Sequence, residues 1–197
     1  MGRAHYLLLM DVLTTDEGMT AVKMARNTIE AVVRGSPVPS ASLPPVFSEK
    51  RGVFVTITRS GELRGCIGYP YPVLPLSEAV PSAATGAALE DPRFPPLTIP
   101  ELRQIRIEVT VLTPPQPVDV NPEQRPGAVM IGKHGLIARS GGRSGLLLPQ
   151  VATEYSWSPE EFLTHTCIKA GLPANCWKRL DTEILTFEGQ IFHEQVS

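Results

Sequence analysis

The first strong pattern along the chain is a set of apolar residues at helical spacing between Val22 and Val33. Thr14 and Glu17 stand before this set in the order of a capping box, in which each residue satisfies the other's backbone N–H. Gly35 follows it, where a glycine commonly ends a helix. The pattern therefore predicts a helix from about Thr15 to Arg34.

Strict alternation of apolar and other residues replaces the helical spacing between residues 52 and 68, which predicts a β-hairpin. A two-residue loop would pair Ile57 with Arg64 and place a charge on the apolar face. A three-residue loop, residues 59–61, pairs Ile57 with Leu63 and puts its glycine at the left-handed position that such a loop requires. The apolar pattern favours the three-residue loop, and on that register Arg64 and Cys66 share the opposite face.

The remaining patterns predict short elements of both kinds. They are a helix over 77–89, a strand over 105–111, a meander over 128–148, a helix from Pro159 to Ala170, and strands over 184–188 and 190–193. We therefore expect an α+β fold of two subdomains, with mostly antiparallel sheets and helices packed on them.

Proline and glycine are the unusual part of the composition. The 197 residues include 20 prolines and 16 glycines, and the proline content lies well above the usual ~5%. Such a chain does not form a bundle of long helices. The prolines concentrate in segments 37–45, 70–75, 92–100 and 114–126, which we expect to be fixed corners between the elements.

Charge and cysteine usage limit the class of partner and the compartment. The formal net charge is −2 and no basic run is present, so neither nucleic-acid binding nor a membrane-surface helix is expected. The apolar stretch from Tyr6 to Leu13 is interrupted by Asp11 and lacks the strong cationic flank and the small-residue cleavage site of a leader, and no stretch is long enough for a membrane span. Three scattered cysteines do not indicate a secreted disulfide framework, so we expect a cytoplasmic protein.

The segment Leu63-Arg64-Gly65-Cys66-Ile67-Gly68 resembles the signature of the AMMECR family. Five later segments resemble further blocks of that family in the same order, and together the blocks cover roughly residues 15–193. They are 88–97, 107–112, 134–136, 145–152 and 169–173.

This resemblance implies one chain in two subdomains, the larger containing both chain ends and the smaller inserted between them, roughly at residues 70–125. It implies no established reaction, and it leaves the cofactor unknown. In bacterial fusions, domains of this kind occur beside Memo-type and radical-SAM domains, which implies a partner of one of these types by association only.

The glycines of this signature and the two residues beside them are the sharpest candidates for function. Gly65 and Gly68 lie within a predicted strand, where glycine weakens the structure unless a ligand or another backbone approaches closely. Cys66 is a candidate catalytic thiol, and Arg64 is a candidate for holding an anionic group beside it. The alternative for Cys66 is a small buried side chain with no chemical role.

Later residues supply partners for such a site. Among the four histidines (His5, His134, His165 and His193), His134 lies in a glycine-flanked turn and is the best candidate base for a catalytic cysteine. Glu154 is a candidate general acid or base, while Arg93 and Gln150 are candidate ligand-binding residues. No pair of cysteines or histidines has zinc-ligand spacing, so no metal site is expected.

We therefore expect a cleft between the subdomains that binds or acts on a small anionic or polar ligand. The rival hypothesis is an adaptor without catalysis, in which the proline-fixed loops and the signature face dock a protein partner. A shallow apolar patch would favour the adaptor and a deep polar cleft would favour the ligand site.

Overall fold

The computed structural model describes residues 13–195, so His5 and most of the Tyr6–Leu13 stretch lie outside the described residues. The chain divides into two compact units. The first comprises the chain up to Thr113 together with the residues from Gln190 onward, and the second is Pro114–Gly189. Along residues 13–195, no helix combines the length and the apolar character needed to cross a membrane.

The first unit is built on a four-stranded sheet with the strand order β2-β1-β3-β8, in which β1 is antiparallel to both of its neighbours. Among residues 13–195, two α-helices and two short 3-10 helices accompany this sheet. In chain order the elements are α1 Thr15–Arg34, a 3-10 helix Pro45–Ser48, β1 Val53–Arg59, β2 Glu62–Tyr69, α2 Leu76–Leu89, a 3-10 helix Ile99–Arg103, β3 Ile105–Leu112 and β8 Gly189–His193.

The second unit is a smaller α+β body with a sheet of strand order β4-β7-β5-β6. Its elements are β4 Gln116–Pro117, a 3-10 helix Pro122–Gln124, α3 Arg125–Ala128, β5 Gly135–Ser140, β6 Arg143–Leu147, α4 Pro149–Glu154, α5 Pro159–Lys169, a 3-10 helix Cys176–Lys178 and β7 Glu183–Phe187. Both sheets are antiparallel in the pairs described, so the predicted α+β class is confirmed.

The inserted unit starts and ends later than the expected span of roughly 70–125. Helix α2 and strand β3 fall inside that span, but both contribute buried side chains to the core of the first unit. The proline-rich segment over 114–126 opens the second unit instead of closing it. Chain corners are visible in a sequence, whereas the core that each element joins is set by tertiary packing.

The long N-terminal helix has the predicted bounds because its two ends are encoded locally. The Thr14 side chain accepts the Glu17 N–H, and the Glu17 carboxylate accepts the Thr14 N–H at 2.8 Å. Gly35 ends the helix with φ +67°, a left-handed conformation that glycine adopts without strain. Helix α5 begins in the same way, with a Ser158–Glu161 capping box.

The register predicted for the β1–β2 hairpin is wrong. The turn holds the two residues Ser60 and Gly61, and a bulge then shifts the pairing so that Ile57 faces Gly65. The extra residue is Arg64, which leaves the strand ladder locally. The single-residue bulge keeps the apolar residues of the two strands on one face, as the predicted longer loop would also have done. The apolar pattern of the hairpin therefore cannot distinguish a bulge from a longer loop.

Helix α2 packs on β2 at unusually close range. A Cβ at Gly65 would overlap the carbonyl oxygen of Ala87, and a Cβ at Gly86 would lie 2.8 Å from the side chain of Ile67. Each glycine thus accepts the neighbouring element in the space where a side chain would stand. Close helix–strand packing, and not an empty binding space, accounts for Gly65.

The second unit contains a feature that the cysteine count did not anticipate. Cys167 in α5 and Cys176 in the adjacent 3-10 helix form a disulfide across a sequence separation of 9 residues, and both are buried in the core of this unit. Cys66 is the free cysteine.

We expect Gly65→Ala to lower the free energy of unfolding by about 1–3 kcal/mol. The added methyl group would meet the Ala87 backbone carbonyl of α2, which cannot move aside as a flexible side chain can. Gly127→Ala is the matched control, since nothing lies within 4 Å of its Cβ position. Differential scanning calorimetry of both variants measures the difference. Equal unfolding temperatures for the two would show that α2 does not approach β2 this closely.

We expect reduction of the Cys167–Cys176 disulfide to destabilise the second unit by about 2–3 kcal/mol, because a short covalent loop restricts the unfolded chain. The chain has 2 tryptophans, Trp157 and Trp177, and both belong to this unit. Their fluorescence during denaturation, with and without reductant, isolates the effect. A Cys167→Ala/Cys176→Ala variant should not respond to reductant, and a wild-type chain that also fails to respond would contradict the bond.

Candidate functional site

The backbone N–H and C=O groups of Cys66 are hydrogen-bonded by two side chains of one loop. The Cys66 N–H donates to Asp91 Oδ2 at 2.9 Å, and Arg93 Nη2 donates to the Cys66 carbonyl at 3.2 Å. Because β2 is the edge of its sheet, these peptide groups point away from β1 and would otherwise lack a strand partner. Asp91 and Arg93 together replace the missing strand at this residue.

The two residues of this clamp are themselves tightly joined. Arg93 donates to both Asp91 oxygens, from Nε at 2.9 Å and from Nη2 at 2.7 Å. Chiefly through these bonds, the pKa of the buried Asp91 carboxyl is held well below its usual value. The same bonds raise the pKa of Arg93, with a smaller contribution from the nearby Cys66 thiol. The cation beside the thiol is therefore Arg93, whereas the sequence had suggested Arg64.

Arg64 is committed to a second buried carboxylate. Its Nε and Nη2 donate to Glu101 at 2.9 and 3.2 Å, and its Nη1 donates to the Pro95 carbonyl at 2.9 Å. Glu101 also accepts from Arg59 and from the Thr98 backbone N–H and hydroxyl. With these donors, foremost Arg64, the pKa of Glu101 falls from 4.5 to about 2. The Arg64 charge is compensated within the protein, so Arg64 fixes the loop after Asp91.

Phe94 joins the two halves of this arrangement. The guanidinium carbons of Arg64 and Arg93 lie 6.0 and 5.5 Å from the centre of its ring. These distances fall within the range of cation–π attraction. The five residues Arg64, Asp91, Arg93, Phe94 and Glu101 form one unit, which we call the β2 clamp.

The Cys66 side chain lies on the sheet face opposite the buried apolar residues of β1. Its Sγ and the Thr56 Oγ1 share a hydrogen bond at 3.2 Å, and Thr56 is paired across the sheet with Cys66 on one side and Glu108 on the other. The Val53 carbonyl oxygen and the Phe54 ring occupy the space where a side chain at Gly68 would stand, which explains the glycine at this strand position. The thiol is only partly buried, so it is neither a core residue nor a freely exposed one.

The row of polar side chains on this face continues beyond Glu108 to a residue that was not predicted from the sequence as part of the site. His193 Nδ1 lies 3.2 Å from Glu108 Oε2, at the strand that follows β3 in the sheet. The row therefore runs Cys66, Thr56, Glu108, His193 across four strands. Neighbouring strands are ~4.8 Å apart, so the imidazole is too distant to activate the thiol directly. Thr56 and Glu108 occupy polar positions of alternating strands, but β8 gave no such signal, because the apolar Ile191 shares the exposed face with His193.

The other predicted site residues belong to the second unit. His134 Nδ1 accepts the Met130 N–H at 3.1 Å, which leaves the proton of a neutral ring on Nε2, 3.8 Å from Glu188 Oε1. Burial is the main cause that lowers the pKa of His134 from 6.5. Gln150 and Glu154 are exposed on α4. The described contacts of His134 are to its own unit, so the predicted Cys66–His134 pairing stays a prediction.

Within residues 13–195, no group of three or more histidine, cysteine, aspartate or glutamate side chains is arranged to hold a metal ion.

Comparison with known proteins gives the family of this chain. The AMMECR1 family model matches residues 22–192. The chain belongs to the AMMECR1 family. A protein of Methanothermobacter thermautotrophicus is 53% identical over 186 residues, covering 92% of this chain and 96% of its own length. A protein of Thermococcus gammatolerans is 49% identical over 185 residues and covers 90% of each chain.

A solved structure extends the likeness to three dimensions. The crystal structure of an uncharacterized protein from Pyrococcus horikoshii matches this AMMECR1 chain with a TM-score of 0.74 and 44% identity. The match covers 93% of this chain and 94% of that one. The fold and the family are thereby established.

We expect the first unit to lose stability on acidification, between about pH 4.5 and 2, because the pKa of Glu101 lies at about 2 in the folded chain and near 4.5 when its partners are absent. A carboxyl with a depressed folded pKa stabilises above its unfolded value, and this contribution disappears as the pH falls through the folded value. The lowered pKa of Asp91 acts in the same direction.

Glu101→Gln should therefore lower stability at neutral pH, by about 1.5–3 kcal/mol for a lost charge-assisted bond, and flatten the acid dependence. Urea unfolding by circular dichroism from pH 7 to pH 2.5 measures both effects. Glu62→Gln, at an exposed site at the start of β2, makes the same charge change. It should alter neither the stability at neutral pH nor its acid dependence. Identical acid profiles for the two variants would contradict the role of Glu101.

Proposed function

We propose that the Cys66 face of the first unit binds a small polar ligand, with the Cys66 thiol as the group that contacts it or reacts with it. The observation that carries this proposal is the β2 clamp. Two ionised side chains bind the N–H and the C=O of one residue, and that residue is the free cysteine. Fixing a single peptide from both sides holds its side chain in one place, which lowers the entropy lost when a ligand binds.

The clamp also assigns different tasks to the two arginines. Arg64 is compensated by Glu101 and acts as a positioning residue. Arg93 uses Nε and Nη2 in the clamp, and its side chain is 54% exposed. Its remaining N–H groups favour a polar or anionic atom of the ligand near the thiol. Thr56 and Glu108 supply a hydroxyl and a carboxylate farther along the same face.

The adaptor hypothesis receives less support at this edge of the sheet. Partners that extend a sheet bind the free N–H and C=O groups of an edge strand. At Cys66 both groups are already taken by Asp91 and Arg93. A Memo-type or radical-SAM partner, a cytoplasmic location and roles for Gln150 and Glu154 in the same reaction stay predictions.

We expect iodoacetamide to label one cysteine in the native, non-reduced chain, and peptide mass spectrometry to locate it at Cys66, because that thiol is partly accessible and the other two are bonded. Cys66→Ser should remain folded with nearly unchanged stability, since serine conserves the volume and the hydrogen bond to Thr56. A Cys66 that reacts only after unfolding would identify it as a packing residue and overturn the proposal.

Protection from labelling then tests the ligand. Small carboxylic acids, amino acids and sugar phosphates, each at millimolar concentration, are assayed for slowing iodoacetamide at Cys66. We expect one of these classes to protect the wild-type chain and to lose that effect in Arg93→Gln. Arg103→Gln, an exposed residue of the same unit, removes the same charge and should retain protection. Protection that is equal in both variants would show that the clamp does not form the site.

A further inference from the structure

Three aromatic rings stack in the second unit, one in helix α5 and two in the segment that leads into it. The ring centres of Tyr155 and Trp157 lie 4.9 Å apart with 15° between their planes. Trp157 and His165 lie 3.9 Å apart with 4° between them. The outer ring is open to solvent, since Tyr155 is 67% exposed. An exposed tyrosine on a parallel stack offers a flat, electron-rich face.

The backbone between the first two rings is arranged to make this stack. Ser156 has φ +54°, a left-handed conformation that a serine adopts rarely. It is held by the Ser156 N–H donating to the Thr153 carbonyl at 3.2 Å and the Trp157 N–H donating to the Ala152 carbonyl at 2.9 Å. In an extended segment residues 155 and 157 would share a face about 6.6 Å apart, and with the left-handed Ser156 between them their ring centres lie 4.9 Å apart. Strain of this kind is often found at binding sites.

The charged residues nearest to Tyr155 along the chain are acidic, and the next cation in the C-terminal direction is Lys169, one helical turn after His165. Residues 149–168 contain Glu154, Glu160 and Glu161 but no lysine or arginine. Glu154 precedes Tyr155 directly, and Glu161 lies one helical turn before His165 in α5. The carboxylates of Glu154 and Glu160 are exposed, and neither enters an ion pair within residues 13–195. An acidic surround of an electron-rich ring repels phosphates and attracts cations.

We propose that the Tyr155–Trp157–His165 stack binds the guanidinium group of an arginine side chain presented by a partner protein. A guanidinium is planar, so it can lie flat on the tyrosine ring while its edge donates hydrogen bonds to carboxylates. This occupant uses both the exposed face and the unpaired glutamates. A nucleotide base would also stack, but its phosphates would be repelled by the exposed carboxylates of Glu154 and Glu160. An apolar side chain would leave the glutamates without a role.

The indole N–H signals of the 2 tryptophans provide the test, in the full chain. Trp177 is the internal control, because it is buried and its Nε1 donates to Thr164 Oγ1 at 3.1 Å. The probe is the capped tripeptide Gly-Arg-Gly, titrated in a two-dimensional proton–nitrogen spectrum. We expect a saturable shift of the Trp157 signal and none at Trp177. The same peptide with citrulline, which keeps the shape and removes the charge, should bind about three- to fivefold more weakly or not at all.

Three variants separate binding from a merely structural stack. Tyr155→Phe keeps the ring and should bind as the wild type does, whereas Tyr155→Leu should lose binding while the Trp177 signal stays in place. Glu154→Gln/Glu160→Gln should weaken binding and reduce its dependence on salt. Equal shifts with arginine and citrulline peptides, tighter binding of adenosine monophosphate, or unchanged binding in Tyr155→Leu would each overturn the proposal.

Discussion

The edge strand β2 depends on one loop, and most of the first unit's chemistry follows from that dependence. An edge strand leaves alternate N–H and C=O groups without a partner. Here the loop that follows α2 supplies Asp91 and Arg93 to the Cys66 peptide, and Glu101 to Arg64 at the bulge. The two carboxylates are buried, and their charges are tolerated because each is bonded to an arginine. The pKa values of Asp91 and Glu101 are low because the bonds from Arg93 and Arg64 favour the ionised form.

The glycines and the clamp are two parts of the same packing solution. Gly65 lets the Ala87 carbonyl of α2 approach the strand, and α2 leads directly into the clamp loop. A wider helix–strand distance would carry Asp91 away from the Cys66 N–H. Stability of the sheet and placement of the thiol are therefore coupled, which is why the signature segment combines glycines with a charged residue and a cysteine.

In the second unit, different interactions hold the segment that follows α5 in place. Arg125 is buried and donates to the carbonyls of Trp177, Arg179 and Thr182, and a disulfide joins α5 to the same segment. Here the arginine is bonded to backbone carbonyls and a disulfide adds a covalent link, whereas in the first unit the arginines are bonded to carboxylates. The aromatic stack joins His165 of α5 to the segment before that helix, and its outer ring is left to solvent.

The sequence by itself determined what depends on neighbouring residues. The bounds of α1, the start of α5, the positions of β1 and β3 and the family follow from caps, alternation and motif order. Tertiary structure decided what depends on residues far apart in the chain. The bulge at Arg64, the pairing of Arg93 with Cys66, the Cys167–Cys176 bond and the limits of the inserted unit arise from packing between distant segments. No local pattern encodes these contacts, because their energy exists only when both segments are in place.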